Sequence, residues 1–74
     1  MKSTGVAVIG AGGIGTLRAH SCSQIPQVDY LAICDIKPEK LDQLSEATGA
    51  DMATTKYEEA IRSDRVGAVI VSTA

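Results

Sequence analysis

Aromatic side chains are almost missing from this sequence, which has no tryptophan, no phenylalanine and only two tyrosines. Nucleic-acid binding draws on stacking rings and on a basic excess, and here the formal net charge is −2. No nucleic-acid partner is expected. Cysteine and histidine are also sparse. Cys22 and Cys34 form no CxxC pair, and His20 is the only imidazole, so no zinc-type ligand set is assembled and no metal site is expected. Two unpaired thiols suit a reducing compartment. Long apolar runs are lacking as well: residues 6–9, the apolar stretch nearest the start, run straight into glycine. That is too short for a signal-peptide core or a bilayer span. The expectation is a cytoplasmic protein with no membrane partner.

What is present is a small globular composition, 74 residues of which 45% are hydrophobic. A chain of this size buries about 60% of its unfolded surface, enough for one small core of marginal independent stability. Residues 5–10 (GVAVIG) read as a buried strand bounded by glycine. From Ile14 through Leu17 to Cys22 the apolar residues recur at helical spacing, and Pro26 closes that segment. A second strand spans residues 28–34. The helix that follows has Pro38 in its first turn, Leu41, Leu44 and Ala47 or Thr48 on one face, and Gly49 as its stop. Residues 50–53 read as a short third strand. Thr55 and Glu58 have capping-box spacing for a third helix with Tyr57, Ala60 and Ile61 on its buried side. Residues 66–74 (VGAVIVSTA) return to an apolar strand pattern. This alternation predicts an α/β parallel sheet of order 3-2-1-4 with right-handed crossovers, and a ligand crevice at the carboxyl ends of strands 1 and 4.

Between the first strand and the first helix lie four glycines in six residues. Gly10, Gly12 and Gly15 fit GxGxxG, in which the first allows a tight turn, the second lets backbone approach a pyrophosphate, and the third lets the helix pack closely. Gly13 removes one more side chain beside the phosphates, and the free N–H groups at the helix start favour an anion. Asp35, twenty positions after Gly15 at the end of the second strand, can accept hydrogen bonds from the adenosine ribose hydroxyls. Its position also allows it to cap the second helix, and the two roles are compatible. A carboxylate here repels a 2′-phosphate, which favours NAD over NADP. Lys37 either partly offsets that repulsion or is a solvated surface lysine.

The runs AVIGAGGIG, CDIKPEKLDQLSEATGA and TTKYEEAIRSDRVGAVIVSTA together resemble the amino-terminal portion of the Rossmann domain in the glucose-fructose oxidoreductase / inositol dehydrogenase (Gfo/Idh/MocA) family, over essentially the whole chain. The resemblance implies an NAD(P)-dependent oxidoreductase acting on a sugar, cyclitol or related polyol. Carried over by position, it implies that Gly10, Gly12, Gly13, Ile14 and Gly15 hold the pyrophosphate and that Asp35 with Ile36 borders the adenosine. Ser72 and Thr73 would line the cofactor crevice, unless they are simply a polar strand end. A basic residue is common in the family where Gly13 stands, and a histidine where Arg18 stands, so neither Arg18 nor His20 receives a role.

Such proteins continue through two more Rossmann strands into a second α/β domain with a Glu-Lys-Pro motif and the lysine and histidine that handle proton and substrate. Residues 1–74 are therefore expected to be the amino-terminal portion of an incomplete dinucleotide-binding domain, inactive alone, from a protein that is a homo-oligomer when full length. No catalytic residue can be named within the chain. Alternatives are an NAD-dependent glycosidase that oxidises its sugar transiently, and a non-catalytic dinucleotide-binding module.

Overall fold

The computed structural model describes residues 4–10 and 12–72, with Gly13 and Ile14 described through their helical backbone. Seven elements alternate: β1 (Thr4–Ile9), α1 (Gly13–Ser23), β2 (Val28–Cys34), α2 (Pro38–Thr48), β3 (Met52–Thr54), α3 (Tyr57–Arg62) and β4 (Ala68–Val71). All strand pairs are parallel and the sheet order is β3-β2-β1-β4, as the alternating pattern predicts. Val8 lies between Ile33 of β2 and Ile70 of β4 in the register.

Side-chain size separates the two faces of the sheet. Val6, Val8, Leu31 and Ile33 point to one side, where they pack with Ala19 and Cys22 of α1 and Leu41 and Leu44 of α2. Their neighbours in the pleat, Ala7, Ala32 and Cys34, point to the other side and meet Ala60 of α3. A chain that moves from β1 to β2 to β3 by right-handed crossovers leaves α1 and α2 on one face. The return from β3 to β4 reverses direction and puts α3 on the opposite one. That reversal leaves a crevice between the carboxyl ends of β1 and β4.

Several local expectations are corrected. The inward stripe of α1 is Gly15, Ala19 and Cys22, while Leu17 is 68% exposed. Small residues take the sheet side because the helix start sits too close to the end of β1 to admit large ones. The third strand begins at Met52 rather than at residue 50. Asp51 is used instead to brace β2: the Leu31 N–H donates to Asp51 Oδ2 (2.9 Å) and the Asp51 N–H to the Leu31 carbonyl (2.8 Å). The capping box at Thr55 and Glu58 does not form. Lys56 is the N-cap of α3 and no side chain caps the helix; Thr54 makes a turn ahead of it, accepting from the Lys56 N–H (3.0 Å) and donating to Glu59 Oε1 (2.6 Å), and α3 starts at Tyr57. Of the three residues assigned to its buried side only Ala60 is buried, since a six-residue helix over alanines leaves Tyr57 and Ile61 at the periphery. β4 has β1 as its one neighbour in the sheet, which leaves Val69 and Val71 exposed despite their apolar pattern. Gly49 ends α2 in the left-handed conformation (φ 67°), as expected of a glycine stop. Among the described residues no helix is long and apolar enough to cross a membrane.

Candidate functional site

Three strands deliver their carboxyl ends to one place. Gly10 follows β1, Asp35 follows β2 and Ser72 follows β4, and these residues line a common cleft of about 380 Å³ with Gly12, Ile36, Lys37 and Lys40. Two backbone bonds fix the rim: the Gly10 N–H donates to the Cys34 carbonyl (2.7 Å) and the Ser72 N–H to the Ile9 carbonyl (2.8 Å).

The glycines of the turn have separable reasons. Gly10 has φ 101°, a conformation that side chains other than glycine rarely adopt, and it turns the chain out of β1. At Gly15 an added Cβ would overlap the Gly10 carbonyl group, so only a bare Cα lets α1 seat against the end of the strand. Gly12 differs from both. Its φ of −74° suits any residue, and, chain neighbours aside, an added Cβ would meet no atom of the described residues within 4 Å. Neither backbone strain nor internal packing demands glycine at position 12, which faces the open cleft. Gly12 is also the N-cap of α1, where it offers no side chain to the first-turn N–H groups, and no acidic residue lies in that turn. The positive end of an 11-residue helix is thus left for an external anion. Gly13 opens the helix, and Ile14 follows it in the first turn.

Asp35 is half-buried at the end of β2. Its Oδ1 accepts the Lys37 N–H (2.8 Å), and its own N–H donates to the Thr54 carbonyl (3.3 Å). The bond to residue i+2 makes an Asx turn rather than a helix cap, because Lys37 is the residue at the N-cap of α2. Asp35 is therefore held in place at the cleft wall by the loop that follows it. Ile36 is 83% exposed and borders this cleft and a second, largely apolar hollow of about 240 Å³ formed with Ile9, Cys34, Thr55 and Tyr57. Burial pushes the Cys34 thiol above its ordinary value, and the carboxylates of Asp35, Glu58 and Glu59 push it the same way. The thiol beside the cleft is thus kept protonated and unreactive.

Gly10, Gly12, Asp35, Ile36 and Ser72 are brought together as the sequence predicts. Gly15 stands behind them as a packing residue, and Thr73 lies outside the described residues. Lys40, Thr55 and Tyr57 also line these cavities and escaped sequence reasoning. Lys40 carried no signal beyond an exposed position on α2. Tyr57 at the start of α3 read as belonging to an apolar face.

Comparison with known proteins agrees with this fold. A family model described as "Oxidoreductase family, NAD-binding Rossmann fold" (GFO_IDH_MocA) matches residues 4–74. A myo-inositol 2-dehydrogenase from Thermotoga maritima is 33% identical over 66 residues, 89% of this chain and 20% of that protein. The crystal structure of GenD2 from gentamicin A biosynthesis in complex with NAD superposes with a TM-score of 0.87 at 33% identity, over 99% of this chain and 21% of that one. A scyllo-inositol dehydrogenase from Lactobacillus casei with bound NAD(H) and scyllo-inositol shares the fold, with a TM-score of 0.86 at 18% identity, over 99% of this chain and 22% of that one. The chain therefore spans about a fifth of the length of these relatives.

Proposed function

The chain belongs to the Gfo/Idh/MocA oxidoreductase family with its NAD-binding Rossmann fold, and from that premise we propose that it forms the cofactor-holding portion of an enzyme that moves a hydride between NAD and a sugar, cyclitol or related polyol. Gly12 carries this reading. It is a glycine that its own backbone and packing do not require, at an uncapped helix start in a cleft shared with a carboxylate. An NAD diphosphate gives that glycine a reason, since a methyl group there would stand between the first-turn N–H groups and the phosphates.

The roles assigned follow from this. Gly12, Gly13 and Ile14 present backbone N–H groups to the diphosphate, while Gly10 and Gly15 hold the turn that aims them. Asp35 accepts the adenosine ribose hydroxyls, its orientation set by the Lys37 N–H, and Ile36 offers an apolar surface to the adenine. Ser72 closes the crevice from the β4 side. When bound, NAD supplies a two-electron acceptor at its nicotinamide ring. None of these 74 residues is assigned to positioning substrate or taking its proton; the chain matches the NAD-binding fold of the family and about a fifth of the length of its relatives. The polyol class is supported by the 33% identical myo-inositol 2-dehydrogenase.

The test uses the full-length protein. Polyols such as myo-inositol should drive a rise in absorbance at 340 nm with NAD present. Turnover at constant absorbance would replace net oxidation by transient redox, and NAD binding without any turnover would reduce the protein to a binding module.

A further inference from the structure

Thr54, the last residue of β3, joins the cleft wall to the helix that follows. Its carbonyl accepts the Asp35 N–H (3.3 Å), while its hydroxyl accepts the Lys56 N–H (3.0 Å) and donates to Glu59 Oε1 (2.6 Å). At 2.6 Å the last of these falls in the short range of a hydroxyl bound to an ionised carboxylate. Between these anchor points the chain carries Thr55 and Tyr57, which line the apolar hollow of about 240 Å³ together with Ile36. Packing does little to hold α3 there. The helix is six residues long, Ala60 is its one buried residue, and its N-cap, Lys56, makes no side-chain cap bond. The wall that Thr55 and Tyr57 give the hollow therefore depends on the polar tie at Thr54.

We propose that Thr54, acting through Glu59, is a positioning residue for the adenosine end of the cofactor: the hydroxyl-to-carboxylate bond sets the β3–α3 turn and so holds Thr55 and Tyr57 at the hollow they share with Ile36. The inference rests on the cofactor assignment above and adds to it. Thr54 lines neither the cleft nor the hollow, so it acts through the turn and not by contact with a ligand. One residue thus steadies two walls, Asp35 through its carbonyl and the start of α3 through its hydroxyl. Loss of the hydroxyl leaves the backbone bond to Asp35 in place. It frees the first turn of α3 to fray, because so short a helix has no stability of its own. A wall that is in place only part of the time weakens binding by that fraction.

Calorimetric titration of NAD and of adenosine monophosphate into the full-length protein and its Thr54→Val, Thr54→Ser and Glu59→Gln variants tests this, with thermal unfolding of each. Valine keeps the shape of threonine without the hydroxyl. In Thr54→Val both affinities should fall by the same factor, roughly two- to tenfold, the size of one hydrogen bond. The melting temperature should move by no more than about 4 °C, because the lost bond is exposed to solvent. Serine keeps the hydroxyl and the glutamine amide oxygen still accepts, so Thr54→Ser and Glu59→Gln should stay close to the parent. Parent affinities in Thr54→Val overturn the proposal, and so does a loss that spares adenosine monophosphate, which would put the effect away from the adenosine end. A larger drop in melting temperature, with weak binding that serine does not restore, would make Thr54 a structural residue only and overturn it too. A folded parent that binds neither nucleotide would instead sink the cofactor assignment itself, a result separable from any effect of the variants.

Discussion

Two alanine substitutions three residues apart should have opposite effects. In Gly12→Ala the new methyl meets no atom of the described residues beyond its chain neighbours within 4 Å, and the backbone, at φ −74°, already suits alanine. Alanine is a poorer N-cap than glycine by roughly 0.5–1 kcal/mol, and the lost freedom of the unfolded chain returns about 0.4–1 kcal/mol. The two nearly cancel, so the melting temperature of the full-length protein should move by no more than about 4 °C. The cofactor feels the change instead. Holding the diphosphate away from one first-turn N–H removes a charged hydrogen bond of about 1.5–3 kcal/mol, a loss of roughly ten- to a hundredfold in NAD affinity. In Gly15→Ala the added carbon falls on the Gly10 carbonyl group, which is backbone and cannot swing aside. Overpacking costs about 1–3 kcal/mol where side chains can yield, and here the loss should reach at least about 3 kcal/mol. Thermal unfolding and NAD titration of both variants separate the cases. Parent affinity in Gly12→Ala would refute the assignment of that glycine to the diphosphate, and parent stability in Gly15→Ala would refute the packing account.

In the full-length protein Asp35→Ala should weaken NAD about tenfold or more through lost charged hydrogen bonds to the ribose, while favouring NADP relative to NAD; an unaltered preference between the two nucleotides would remove Asp35 from the site. Cys22 and Cys34 have thiol values raised above 9.0, in both cases first by burial. The folded chain keeps these protons where the unfolded chain releases them, so their contribution to stability is complete below pH 9.0 and is lost as pH climbs through the folded values. Urea midpoints measured from neutral to alkaline pH should therefore fall at the alkaline end, and the fall should be shallower in Cys34→Ala; an identical slope in that variant would contradict the assignment. Gly49→Ala, at φ 67°, should cost about 1 kcal/mol at the end of α2, with Gly49→Asn milder, and equal melting curves would count against the strained turn.

Elements were legible in the sequence where one local signal dominates. β2 and α2 begin and end close to where their apolar run, Pro38 and Gly49 put them, and the 3-2-1-4 order follows from alternation and crossover handedness. Misreadings arose where two signals competed. Leu17 looked inward because large apolar residues usually do, but the close seat of Gly15 on Gly10 reserves the sheet side of α1 for small residues. Thr55 looked like a cap because its spacing to Glu58 is right, yet Lys56 takes the N-cap position without a side-chain bond, and Thr54, still in the sheet, makes the local turn. A choice between adjacent threonines depends on where β3 stops pairing with β2, and no local pattern records that.

The site was legible for the complementary reason. Gly10 and Gly15 are fixed by the fold, one through a positive φ and the other through a backbone contact, and a protein with no ligand at all would still need both. Position 12 has no such internal demand. Among the described residues, packing and torsion at position 12 would accept alanine, and the proposed diphosphate contact supplies the constraint that they do not. Lys40 shows the reverse case. Nothing in a one-dimensional pattern distinguishes a lysine on the first turn of α2 from any solvated lysine, and only the folding of α2 beside α1 brings it to the cleft that Gly12 and Asp35 share. Backbone-determined features of the cleft, and a carboxylate at a strand end such as Asp35, can therefore be read from spacing, whereas a side chain brought in by a neighbouring helix becomes visible only once the helices are placed.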